Sequence, residues 1–223
     1  MKISKIWVLP TLLSLLFVLS SATEAGKEKE RVEKATAVLT DFSKITEQSI
    51  PPSILSEAEG IIVIPKLLNA GFVVGGKRGK GVAMVKTASG WSNPVFVTFT
   101  GGSVGLQIGV QAVDLVLVFK HKSVLDKVQN GDFTIGGDAS AAAGPVGRST
   151  SASTDYKLDA EIYSYSRSKG LFAGISINGS NIGIDKTANG AYYGSGTSSK
   201  AIFANSKSTT AEVTALKQAL GAI

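Results

Sequence analysis

Residues 101–105 read "GGSVG", a match to G-x-S-x-G, the turn that lifts a nucleophilic serine off the end of a strand in α/β hydrolases. The preceding "VFVTFT" resembles a feeding strand, and Ser103, Asp114 and His121 fall in the order serine, acid, histidine. A nucleophile elbow must lead into a helix, however, and "GLQIGVQ" alternates apolar with small or polar residues as a strand does. Asp114 and His121 also stand only seven residues apart, whereas a hydrolase draws them from separate loops after later strands. Ser103 is therefore expected to be a turn residue between glycines, without a catalytic role.

Other chemistry is sparse. The chain has one histidine and no cysteine, which rules out thiolate and multi-histidine metal sites and leaves no disulfide. Asp155, Asp159 and Glu161 lie close in sequence but read as solvated carboxylates, and no D-x-D-x-D-G loop occurs, so neither metal nor cofactor is expected. "GFVVGGKR" falls short of a P-loop because Arg78 stands where a serine or threonine should bind magnesium.

The cations say more. Lys77, Arg78 and Lys80 crowd a glycine-rich stretch, Arg148 follows "GPVG", and Arg167 and Lys169 flank another turn. Backbone amides of glycine turns together with lysine or arginine make sites for a phosphate head group, although basic turns are also ordinary surface features. The net charge of +6 falls to about +4 to +5 without the first two dozen residues, a balance that favours anionic surfaces. Dispersed lysines without interleaved stacking aromatics make nucleic acid a poor partner.

The elements that must hold these residues begin after residue 25. Lys2 and Lys5 precede an apolar run from Ile6 to Leu19, followed by Ser20, Ser21 and Ala22, the layout of a secretory signal peptide over 1–25. The expectation is an exported chain, periplasmic or secreted, with one domain over 26–223. Between Lys27 and Thr46, the residues Val32, Ala35, Val38, Leu39, Phe42 and Ile45 recur at steps of three and four, predicting an amphipathic helix. Its apolar face fits either core packing or a membrane surface. A short helix is expected around Ile54–Ala58.

From Ile61 the texture changes to valine- and isoleucine-rich runs punctuated by glycine, which predicts antiparallel sheet. A hairpin over Gly71–Val85 would turn at "GGKRGKG". Further strands are expected over Ser92–Thr98, Leu106–Val110, Asp114–Phe119, Phe133–Ala143, Tyr156–Ser166 and Leu171–Asn178. A short helix fits His121–Gln129, a short helix or turn covers Ile184–Ala191, and Thr209–Ala222 reads as a closing helix. "GLQIGVQ", "GGDASAAAGPVG" and "GLFAGISING" each present a face of small residues. Something must lie close against such a face: a helix, a second sheet, or an apolar ligand. The fold class is α+β, a glycine-rich antiparallel sheet (sandwich or partly closed barrel) with an N-terminal amphipathic helix and a C-terminal helix.

Four ordered blocks, "AEGIIVIPKLLNAGFVVGGKRGKGVAM", "GGSVGLQIGVQAVDLVLVF", "FTIGGDASAAAGPVGR" and "IYSYSRSKGLFAGISINGS", resemble the SYLF domain family over about Ala37–Gly196. The resemblance implies a lipid-binding module, with membrane binding through the N-terminal helix region and basic residues. Carried to this chain, it points to Lys34, Val38, Phe42 and Lys44 on the helix and to Lys66, Lys77, Arg78 and Lys80 beyond it. Eukaryotic members bind phosphoinositide membranes and a yeast member binds actin filaments; an exported chain is not expected to meet either, so anionic phospholipid of a bacterial envelope is the implied partner. The leading function is noncatalytic lipid binding in the cell envelope, with Arg148, Arg167 and Lys169 as further head-group contacts. A structural or stress-related envelope protein acting by self-association or protein contacts is the alternative, and a serine hydrolase the remote one.

Overall fold

A computed structural model describes residues 8–44, 49–129, 133–144, 160–169, 171–172, 175–208 and 210–221, with side chains from Gly26 onward except at 72–74, 103–108 and 172. Its frame is one long pair of strands. β1 (Gly60–Thr87) runs antiparallel to β3 (Val95–Phe119) from Gly60 opposite Phe119 to Ala83 opposite Val95. β2 (Gly90–Trp91) returns from the end of β1. β6 (Ile162–Ser168) and β8 (Ser180–Ile184) pair with opposite ends of β3, and the short β4 (Phe133–Thr134), β5 (Ala141–Ala143) and β7 (Leu171–Phe172) complete one mixed sheet that is almost wholly antiparallel.

The expected hairpin at "GGKRGKG" is not a turn. β1 passes straight through it, and Gly75–Gly81 pair in register with Ser103–Val97. The glycines serve a different purpose. A Cβ on Gly81 would lie 2.0 Å from the Val63 carbonyl oxygen, and one on Gly79 would lie 2.5 Å from Ile64 Cγ2. The second half of β1 thus lies directly on its first half, so the sheet curls into a half-barrel, the partly closed barrel among the two expected architectures. Chain reversal happens instead where Thr87 pairs with Gly90.

Because side chains alternate across a strand, the curled sheet buries two faces. Ile61, Val63, Val82, Met84, Phe96, Val116 and Val118 form the outer core. Ile62, Ile64, Ala83, Val97, Phe99, Leu115 and Leu117 form the inner one. The outer core is covered by α1 (Val8–Lys44) through Val32, Ala35, Val38, Leu39 and Phe42, all 0–6% exposed, and by α2 (Pro52–Glu57) and α6 (Ala211–Gly221). The inner core is closed by α3 (Lys122–Gln129) and by α5 (Ser199–Ala204), which the sequence reading did not foresee. α4 (Lys186–Tyr193) begins at Asp185, whose carboxylate accepts the Ala188 amide at 3.1 Å and caps the helix.

These contacts settle what the apolar stripe of the N-terminal helix meets: it packs on the sheet. Burying Phe42 and Leu39 contributes about 2–3 kcal/mol each. At Gly144 protein fills the space, since a Cβ there would lie 2.2 Å from the Tyr165 ring, whereas a Cβ on Gly109 or Gly179 would meet nothing within 4 Å. The expected strand over 133–143 is broken into β4 and β5, and residues 175–177 after β7 are not strand. Among the described residues, no helix is long and apolar enough to cross a membrane.

Candidate functional site: a cationic cleft

Basic side chains from α1 and β1 converge where the helix crosses the strand. Lys27, Arg31 and Lys34, at steps of four and three along α1, present one helical face. Pro65, Lys66 and Lys80 of β1 form the opposite wall, and the cleft between them has a volume of about 200 Å³. Lys66 reaches it through a defect in the ladder. Register shifts between Ile64 and Leu67, and Lys66 sits in the left-handed region at φ 51°, its backbone N–H donating to Asp114 Oδ1 at 2.9 Å. The bulge turns the Lys66 side chain out of the strand's alternation and into the cleft.

Carboxylates neutralise part of this charge. Asp185 Oδ2 lies 3.1 Å from Arg31 Nη1 and 3.4 Å from Lys80 Nζ. Arg31 also pairs with Glu28 at 2.9 Å and stacks over the Phe96 ring, and Lys34 pairs with Glu30 at 2.8 Å. Burial pushes the Asp185 pKa up, but the Ala188 amide, the Arg31 guanidinium and Lys80 outweigh it and hold the carboxyl below its ordinary value. Glu30 is lowered by its hydrogen bond to Lys34, by that charge, and by Lys66 at longer range. Neither Lys27 nor Lys66 has a carboxylate within ion-pairing distance among the described residues. The cleft therefore holds excess positive charge around donors that can reach an anion.

The expected cations separate into three groups. Lys34, Lys66 and Lys80 line the cleft together. Lys77, in the same glycine-rich stretch, faces the opposite way: only 5% exposed, it donates to the carbonyl oxygens of Gly102 and Ser176, and burial lowers its pKa. Arg167 is likewise buried, with its guanidinium 5.1 Å from the centre of the Phe42 ring. Val38 and Phe42 are buried core residues, 6% and 1% exposed. Arg78, Lys44 and Lys169 are exposed but lie outside the cleft, Lys44 paired with Asp41 at 2.9 Å and Lys169 in the turn between β6 and β7. Arg148 lies outside the described residues.

Lys27 and Arg31 were missed from sequence, although their spacing to Lys34 was available. Ser103 sits within β3 opposite Gly75, so no strand-to-helix turn exists there, and Asp114 serves the Lys66 backbone. Among the described residues, no group of three or more histidine, aspartate or glutamate side chains could hold a metal ion.

Residues 100–223 match the family described as Ysc84, Las17-binding protein actin regulator. The chain belongs to the Ysc84 (SYLF) family. It is 33% identical over 173 residues to SH3 domain-containing YSC84-like protein 1 of Xenopus laevis, covering 74% of this chain and 51% of the relative. It is 36% identical over 183 residues to Protein YSC84 of Saccharomyces cerevisiae, covering 78% and 39%. LAS seventeen-binding protein 3 of the same yeast is 34% identical over 183 residues, covering 78% and 40%. The chain thus spans about two-fifths to one-half of these Ysc84 relatives. Their alignments are longer than the 100–223 match, so they extend upstream of it, toward the β1 wall of the cleft.

Proposed function

We propose that this protein is a noncatalytic lipid-binding module of the cell envelope whose cationic cleft takes the phosphate of an anionic phospholipid. The observation that carries the reading is the convergence of Lys27, Arg31, Lys34, Lys66 and Lys80 on one open cleft. Arg31 is fixed by Asp185 and Phe96, giving a preorganised donor, while Lys27 and Lys66 make no ion pair among the described residues. The lysine-led apolar segment over 6–19 supports export, and an exported chain does not meet actin.

Flotation of the exported, processed chain with vesicles tests the reading. Binding is expected on vesicles containing phosphatidylglycerol and not on neutral phosphatidylcholine, weakening as salt rises from 50 to 500 mM, as flagged by a screening length of roughly 10 Å at 0.1 M. Lys27→Glu with Lys66→Glu is expected to weaken binding at least about tenfold, since each cation near an anionic surface contributes about 1 kcal/mol. Salt-independent binding, or full binding by the double variant, would sink the cleft as the head-group site.

The relatives' names, which speak of protein binding, favour protein contacts as a second reading; in an exported chain that would make the domain a structural or stress-related envelope protein. Wild type that stays unbound on every vesicle would leave this reading standing alone.

A further inference from the structure

β1 and β3 continue past the region that α1 covers. On β1, Ile61 and Val63 belong to the outer core and Ile62, Ile64 and Leu67 to the inner one, so beyond the bulge Leu68 and Ala70 return to the outer side. On β3, Val116 and Val118 are outer, which places Ala112 and Val110 on the same side. Leu68 pairs with Ala112 and Ala70 with Val110. This end of the outer face is uncovered: Leu68 is 50% and Val110 75% exposed, against 0–1% for Ile61, Val63, Val116 and Val118. Leu171, 68% exposed on β7, lies at the same end of the sheet, because its partner Ser168 donates to the Ala112 carbonyl oxygen.

The rim of this apolar end is cationic. Lys66, which lines the cleft, stands two residues before Leu68 on the same strand, roughly 7 Å along the chain. Lys169 is exposed beside Ser168. The neighbouring carboxylate, Asp114, is occupied by the Lys66 backbone N–H. Apolar side chains flanked by lysines, and continuous with a cleft that gathers positive charge, match an interface whose outer layer is anionic and whose interior is apolar. A second copy of the chain fits less well. The described apolar side chains here are few and small against the roughly 800 Å² per partner that a stable protein interface buries.

We infer that the uncovered end of the β1–β3 pair, through Leu68 and Val110, enters the boundary between head groups and acyl chains while the adjacent cleft holds a lipid phosphate. The occupant is thus an anionic lipid surface, and the domain docks on it by the end of its sheet and not by the apolar face of α1. This inference rests on the lipid-binding reading above and adds the orientation.

Because the chain contains no cysteine, Leu68→Cys, Val110→Cys and the control Ala204→Cys each carry one polarity-sensitive fluorophore at a known exposed site. The exported, processed chain is mixed with phosphatidylcholine vesicles containing phosphatidylglycerol, and flotation of the unlabelled protein is scored in parallel. The expected result is a blue-shifted, brighter emission at positions 68 and 110 on anionic vesicles, no change at 204, and about tenfold weaker flotation of Leu68→Ser/Val110→Ser with unfolding unchanged. Flotation without a shift at 68 or 110 would overturn the orientation while the lipid reading stands. A shift that tracks protein concentration without vesicles would assign the surface to self-association and overturn the inference. Absence of flotation by wild type removes the lipid reading and this inference with it.

Discussion

Two apolar surfaces lie on the same side of the curled sheet, and they have opposite fates. Under α1, Val32, Val38, Leu39 and Phe42 meet Ile61, Val63, Val116 and Val118, and nothing there is more than 6% exposed. Farther along the same two strands, Leu68 is 50% and Val110 75% exposed. A periodic stripe on a helix states that one face must leave water; it does not state what will cover it. Here the amphipathic helix that marks membrane binding in sequence is consumed by the core, and the surface open to a partner lies on strands whose pattern gave no sign of it.

Phe42→Ala breaks this comparison most sharply. The ring is buried and carries the Arg167 guanidinium against it, so truncation leaves a cavity beside a charged group. A loss of about 3–5 kcal/mol in urea unfolding is expected. Full stability with lost vesicle binding would mean that the α1 face is an interaction surface and not core.

Asp185→Asn tests the neighbouring region, where α1 is tied to the cleft by charge. The folded carboxyl titrates below its unfolded value of about 3.9, so its contribution is complete above that pH and is lost as pH falls through the lower folded pKa. At pH 7 the variant should be less stable by about 2–3 kcal/mol, because Arg31 and Lys80 lose their shared partner and α4 its charged cap. The gap to wild type should close as wild-type Asp185 becomes protonated. Vesicle binding at pH 7 should be retained or strengthened a few-fold, since a competing carboxylate charge leaves the cleft. A gap that stays constant down to pH 2 would show that the charge of Asp185 does not hold the helix.

The fate of individual residues explains how far the sequence reaches. Val32, Ala35, Val38 and Phe42 were legible as one face because spacing alone defines it. Gly79 and Gly81 were misread as a turn because local sequence cannot distinguish a glycine that bends the chain from one that admits another strand; the neighbour at fault, Val63, lies eighteen residues upstream of Gly81. Lys77 and Lys80 looked equivalent in that turn. As strand positions of opposite parity they part, one inward to the carbonyls of Gly102 and Ser176, the other to the cleft. Asp185, 154 residues from Arg31, belongs to the site only through the fold.

Lys66 gives the smallest effect and the finest test, since its conformation and its charge pull in different directions. A lysine held at φ 51° carries a backbone cost of about 1–2 kcal/mol that glycine does not, while glycine returns roughly 0.5–1 kcal/mol through the freedom of the unfolded chain. Lys66→Gly is therefore expected to raise stability by up to about 1 kcal/mol in thermal unfolding. It also removes one cleft cation that makes no ion pair among the described residues, so binding to anionic vesicles should fall several-fold. Higher stability with weaker binding is the signature of strain retained for a ligand. Higher stability with unchanged binding would take Lys66 out of the site, and lower stability would show that its side chain, rather than the bulge, holds this turn of β1 in place.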